Sequence, residues 1–291
     1  MANLADNVAR VIKVFDTLKA KVTNYIGIGS GNVSIPGSNI DTNHNISIET
    51  YVNAIDEVHA YGVEEGRQAQ YDEFWDEFQQ NGKRTDYRFA FGCGWNAKTF
   101  KPKYPITPKD AYQWQCAANQ MFSYIGQSEN KYIDLSGYPL DFTKVTQVDE
   151  AFHNAFLENI YVDVTDIKTY RLFNGSNMDS GSHPYKNVTI KCSANTTFSN
   201  SFWYANFDKL LFTEDSVIAQ SVDFHWGVSM IKESFISIMN TLSSTTTNLT
   251  VTFNKTAVNT AFGINVDDET TYTDEWKELM ASKSNWNIAF A

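Results

Sequence analysis

Two stretches of this 291-residue chain carry one apolar pattern, and that repetition limits the fold more than any other feature. In "AFHNAFLENIYV", Phe152 is followed by Leu157, Ile160 and Val162 at offsets of five, eight and ten residues. In "SFWYANFDKLLF", Phe202 is followed at the same offsets by Phe207, Leu210 and Phe212. Between them, "LFNGSNM" repeats the opening with Phe173 and Met178, and the alternating "NVTIK" arrives after an insertion. The phenylalanines stand about 21 and about 29 residues apart, matching the roughly 20 to 29 residues of solenoids that lay down one strand per turn. A unit of that length cannot bury its own apolar face, so successive turns must stack with the Phe packed between them.

The ends of the chain read differently. "FNKTAVNTAFG" and "YTDEWKELMASKSNW" have short helix patterns, the second with Trp276, Leu279 and Met280 on one face, and "WNIAF" closes as a strand. Residues 257–291 are therefore expected to cap a solenoid spanning 118–256. At the other end, "LADNVARVIKVFDTLKAKVTNY" places Leu4, Val8, Val11, Phe15, Leu18, Val22 and Tyr25 at alternating four- and three-residue steps, with Ile12 widening the stripe. Such a stripe suits three or more helices, or a helix docked into another protein, better than a two-stranded coil; a single helix packed on its own domain is the alternative. The spacing predicts an attachment or oligomerisation helix over 1–26, with a homotrimer favoured. "GIGSGNVSIPGSNIDTNHN" then reads as a linker over 27–47, and 48–117 as a helical and connector region. Within that region a helix should stop at Asn81-Gly82, "RTDYRFAF" should form a short strand, and Thr107 should cap a helix with Pro108 at its first position and Asp110 in its first turn. The expected fold class is α+β: N-terminal amphipathic, coiled-coil-like helices, then a C-terminal β-solenoid with a helical cap.

Composition narrows the function. A net charge of -11 repels nucleic-acid phosphates and anionic membranes, and no stretch has the length of apolar sequence that a membrane span needs. Neither nucleic acid nor membrane insertion is expected. Cys93, Cys116 and Cys192 are odd in number and widely spaced, which suggests buried free thiols. The start lacks the basic and continuous apolar regions of an export signal, so synthesis and folding in a cytosol are expected. "GIGSGN" lacks the Lys-Ser/Thr ending of a phosphate loop, and "DTNHN" lacks the glycine and closing glutamate of a calcium loop. The histidines His44, His59, His153, His183 and His225 show no paired metal-ligand spacing. No catalytic residue, metal or cofactor is expected from these patterns.

Surface aromatics offer the candidate site. Trp203 and Tyr204 sit between Phe202 and Phe207, where a turn should present them outward, and His225-Trp226 follows the strand-like "SVDF". Exposed Trp and Tyr give flat contact area for sugars or protein partners. The alternative is that they pack within the stack.

The phenylalanine-containing turns, with "SIMNTLSSTTTNLTVTFNKTAVNTAFG" and "EWKELMASKSNWNIAF", resemble BspA-type leucine-rich repeats of gut bacteria and their phages. "YDEFWDEFQQNGKRTDYRFAFGCGWNAKTFKPKYPI" is similar to the segment that precedes those repeats in many phage or prophage proteins. Together they cover roughly residues 70 to 291, a solenoid of ordinary domain size. The resemblance implies a leucine-rich-repeat-like solenoid in a non-enzymatic bacteriophage virion protein. That protein would be a tail, baseplate or head-fibre appendage, assembled in the host cytoplasm and exposed after lysis. Its implied partners are other virion proteins or copies of itself, and a host cell-surface glycan or protein. The alternative is a bacterial surface adhesin, with a glycan-active enzyme behind both.

Overall fold

The computed structural model describes Lys13, Val14, Thr17 and residues 78–91, 102–110, 116–126, 132–175 and 185–291. The chain divides into two units, Met1–Glu77 and Phe78–Ala291. In the first, Lys13, Val14 and Thr17 have helical backbone and are exposed.

The second unit is built from parallel strands. In chain order they are β1 (Ile133–Asp134), β2 (Leu140–Asp141), β3 (Gln147–Asp149), β4 (Leu157–Asp163), β5 (Lys168–Tyr170), β6 (Lys186–Lys191), β7 (Thr197–Ser199), β8 (Leu210–Phe212), β9 (Val222–Phe224), β10 (Leu249–Phe253) and β11 (Trp286–Phe290). Among the described residues three α-helices accompany them: α1 (Lys232–Thr241), α2 (Lys255–Phe262) and α3 (Asp274–Ala281). One sheet runs β1-β4-β6-β8, with β2 also paired to β4; a second runs β3-β5-β7, and a third β9-β10-β11. Every pairing is parallel, so the chain must travel around a full coil before it returns to lie beside the preceding strand. The repeated offsets place Leu157 to Val162 on β4 and Leu210 to Phe212 on β8, strands of the same sheet.

The bends between the strands are also in register. Gln120, Glu150, Arg171 and Asn200 share a left-handed backbone, with φ of 48°, 50°, 50° and 49°. Two residues after each lies a buried phenylalanine: Phe122, Phe152, Phe173 and Phe202. Phe122 N–H donates to Ala151 O at 2.7 Å, Phe152 N–H to Leu172 O at 3.0 Å, and Phe173 N–H to Ser201 O at 2.8 Å. The rings form a column: Phe91 to Phe122 at 4.8 Å between centroids, Phe122 to Phe152 at 5.7 Å, Phe152 to Phe173 at 4.9 Å and Phe173 to Phe202 at 6.3 Å. It continues from Phe202 to Phe224 at 4.5 Å and from Phe224 to Phe253 at 6.2 Å. Only glycine and, less readily, asparagine take a left-handed backbone cheaply, so the strain at Gln120, Glu150 and Arg171 is offset by ring burial and inter-coil hydrogen bonds.

Serines close one end of the first sheet. The N–H groups of Leu210 and Phe212, on the outer edge of β8, donate to Ser234 Oγ at 2.9 Å and Ser237 Oγ at 2.8 Å on α1. A helix thus takes the place of the next strand without leaving buried donors unpaired. Ser234→Ala should cost about 1 to 2 kcal/mol, because the buried Leu210 N–H loses its acceptor and water cannot replace it. Urea unfolding checks this, and an unchanged midpoint would show that the cap carries no stability.

This architecture corrects the α+β expectation of N-terminal amphipathic helices, a β-solenoid and a helical cap. Among the described residues the body is parallel sheet, and the three helices all lie between Lys232 and Ala281. They form no separate layer after the strands: α1 joins β9 to β10, while α2 and α3 join β10 to β11. Parallel neighbours need long crossovers, and helices fill them here. Asn254 and Thr273 cap the starts of α2 and α3, and left-handed Gly263 ends α2. No N-terminal amphipathic helix is shown, and the stripe residues Leu4, Val8, Val11, Ile12, Phe15, Leu18, Val22 and Tyr25 lie outside the described residues.

Two local expectations also change. Residues 84–91 form no strand; they run extended and then turn, with Tyr87, Phe89 and Phe91 N–H donating to Ala117, Asn119 and Met121 O. Thr107 to Asp110 is not helical, because Asp110 is used elsewhere. Its carboxylate accepts from Ala117 N–H at 2.9 Å and from Thr146 N–H at 2.6 Å, tying neighbouring coils together.

Candidate functional site: an aromatic strip

The register of the phenylalanine column decides which surface residues meet. With Phe202 stacked on Phe224, Trp203 aligns with His225, and Tyr204 with Trp226. Tyr204 has a left-handed backbone, φ 54°, like Tyr124 (64°) and Asn154 (50°) at the corresponding bend of earlier coils. At this bend Tyr124 and Tyr204 reach the surface, half-buried, whereas Asn154 is fully buried. The rings of Trp203 and Tyr204 lie 5.0 Å apart, those of Tyr204 and Trp226 4.0 Å, and those of Trp226 and His225 4.4 Å. All four aromatics singled out in the sequence therefore join in one strip. Trp203 is 36% exposed, and Tyr204, His225 and Trp226 are half-buried.

Polar groups frame the strip. The Arg171 guanidinium lies 4.9 Å from the ring centroids of both Tyr170 and Trp203, and its Nη1 is 3.3 Å from Glu150 Oε1. At the other end, Asp223 Oδ1 accepts from the His225 backbone N–H at 3.0 Å and lies 2.7 Å from His225 Nδ1. An ionised carboxylate only accepts, so the imidazole proton sits on Nδ1, leaving Nε2 as an acceptor when the ring is neutral. Trp226 Nε1 is buried with no hydrogen-bond partner among the described residues. The ring is held by stacking on Tyr204 and His225. Beyond it, Val228 and Ile231 are exposed at 41% and 40%, extending the apolar surface along the same loop.

Arg171 and Asp223 were not singled out in the sequence, although both occupy positions it marks. Arg171 stands two residues before Phe173, as Asn200 does before Phe202; Asp223 is the outward residue between buried Val222 and Phe224. Burial pushes the Cys116 thiol up to about 11 and the Cys192 thiol to about 12, so both stay protonated at neutral pH. Burial lowers the pKa of His153, whose Nε2 lies 2.8 Å from Asn154 Nδ2 and 3.1 Å from Tyr124 Oη. Among the described residues, no group of three His, Cys, Asp or Glu side chains is arranged to hold a metal ion, and no helix is long and apolar enough to cross a membrane. His44, His59, His183, Cys93 and the "GIGSGN" and "DTNHN" segments lie outside the described residues.

The strip can bind through flat faces. A half-exposed row of rings stacks on the C–H faces of sugars or on planar side chains, while Arg171, Asp223 and His225 orient polar groups at its margins. No known family, curated protein or solved structure matches the chain.

Proposed function

We propose that this chain is a non-enzymatic structural protein of a bacteriophage virion, a tail, baseplate or head-fibre appendage whose stacked body attaches to a host-cell surface. The particle is assembled in the host cytoplasm, and the protein meets its receptor after lysis. The observation that carries the binding reading is the convergence of Trp203, Tyr204, Trp226 and His225 into one partly exposed row. The placement in a virion rests on the resemblance of the phenylalanine-containing turns and of the segment before them to phage proteins. The apolar residues from Leu4 to Tyr25 supply the attachment end, toward other virion proteins or further copies of the chain.

Replacing both Trp203 and Trp226 with alanine tests this reading. Central aromatic anchors carry about 2 kcal/mol or more each, so affinity for host cells should fall roughly 30-fold for the loss of one and roughly 700-fold for the loss of both. Far-ultraviolet circular dichroism should be unchanged. Wild-type affinity in a folded double variant overturns the assignment of the strip.

A further inference from the structure

The two ends of the strand ladders are finished differently. On β8 the outward N–H groups are taken by Ser234 and Ser237. On β11 the outer edge has no strand beside it among the described residues. Ala291 N–H donates to Phe253 O, and Ala291 O accepts from Lys255 N–H, so Ala291 faces β10. Alternation along a parallel strand then turns Asn287 and Ala289 inward to β10 as well, and turns the N–H and C=O groups of Trp286, Ile288 and Phe290 outward. Trp286 N–H is already used, donating to Lys283 O at 2.9 Å, so Trp286 offers the edge only its carbonyl. Ile288 and Phe290 offer both groups.

The side chains show the same incompleteness. Phe290 is in register with Phe253, the last ring of the column described above. Trp286 is buried, but Ile288 and Phe290, on the same face of the strand, are only half-buried. The strand contains no charge and no proline, the usual devices that stop an edge from pairing.

We propose that β11 is a pairing edge through which two copies of this chain join, antiparallel about a two-fold axis at Ile288. In that arrangement Ile288 exchanges both hydrogen bonds with Ile288 of the second copy. Each Phe290 N–H meets the Trp286 carbonyl across the axis, and the already bonded Trp286 N–H is not required. Phe290 of each copy packs beside Trp286 of the other, which completes burial of the half-covered face. A second copy is the occupant because one strand supplies both the donors and the acceptors, and a neutral segment placed against itself sets no like charges opposite each other.

The test uses the full chain and Ile288→Pro. Proline here removes an outward N–H and leaves the hydrogen bonds to β10 intact, so the fold should persist. Light scattering across a roughly hundredfold range of concentration should show the mass of the variant falling to about half that of the wild type at the highest concentrations. In the wild-type protein alone, which needs no variant to fold, amide exchange at Ile288 and Phe290 should slow as concentration rises. Equal masses overturn the proposal. Concentration-independent protection also overturns it, because it would mean that a segment of the same chain covers the edge, and fast exchange at every concentration would leave no partner copy there.

Discussion

Phe173→Ala should destabilise the protein by about 3 to 5 kcal/mol, the cost of emptying a large aromatic site in a packed interior. Phe173 is fully buried and lies at the centre of the column, with Phe152 at 4.9 Å, Phe202 at 6.3 Å, Tyr185 at 5.3 Å and Phe207 at 5.4 Å. Its neighbours cannot collapse into the space, because each is fixed by its own coil: Phe152 N–H is bonded to Leu172 O, and Tyr185 Oη donates to Phe152 O at 2.6 Å. The cavity would also remove the support for Arg171, whose left-handed backbone is held by the turn that Phe173 anchors. Denaturant unfolding gives the measurement. A loss below about 1 kcal/mol, the cost of an average substitution, would show that the column is not what holds the coils together.

The column was partly legible in the sequence. Phe152, Phe173 and Phe202 stand out because the offsets after Phe152 and Phe202 are identical, and those offsets mark strands β4 and β8 of one sheet. Phe91, Phe122, Phe224 and Phe253 belong to the same column but are hidden by variation around them. The coil between Phe122 and Phe152 holds three strands, β1, β2 and β3, where the next coil holds two, and α1 lies between Phe224 and Phe253. The bends carry Gln, Glu and Arg at left-handed positions where a sequence reading looks for Gly or Asn, so local composition gives no signal. The helix-start pattern at Thr107 misled for a related reason: an acid three residues after a threonine suits a helix cap, but Asp110 serves a longer-range bond to Thr146.

The strip shows the same division. The outward placement of Trp203 and Tyr204 follows from their position beside Phe202. Their meeting with Trp226 does not, because it depends on Phe224 stacking on Phe202, a register set by the packed coils rather than by any short motif. Arg171 enters the site for the same reason, from the coil before.

Gly175→Ala should damage both the stack and the strip, lowering stability by about 3 kcal/mol, near the upper end of the usual cost of overpacking. Gly175 follows Phe173 by two residues, the position that Tyr204 holds after Phe202, and its N–H donates to Trp203 O at 3.2 Å. A methyl group there would lie 2.4 Å from Tyr204 O and 3.3 Å from Tyr204 C. The obstacle is backbone, which cannot rotate away as a side-chain end could. The glycine is required by this close approach and not by the turn itself, since Gly175 does not take the left-handed backbone that Asn154 and Tyr204 have at the corresponding position. Relief must come from moving the Tyr204 peptide, which carries the ring that stacks 4.0 Å from Trp226. Near-ultraviolet circular dichroism of the coupled tryptophans should therefore change together with the melting temperature, and affinity for host cells should fall even though no strip residue has been replaced. A variant matching the wild type in melting temperature and aromatic signal would mean that the two coils do not approach this closely. A variant that melts early yet keeps its aromatic signal and binding would separate the strip from the packing beneath it.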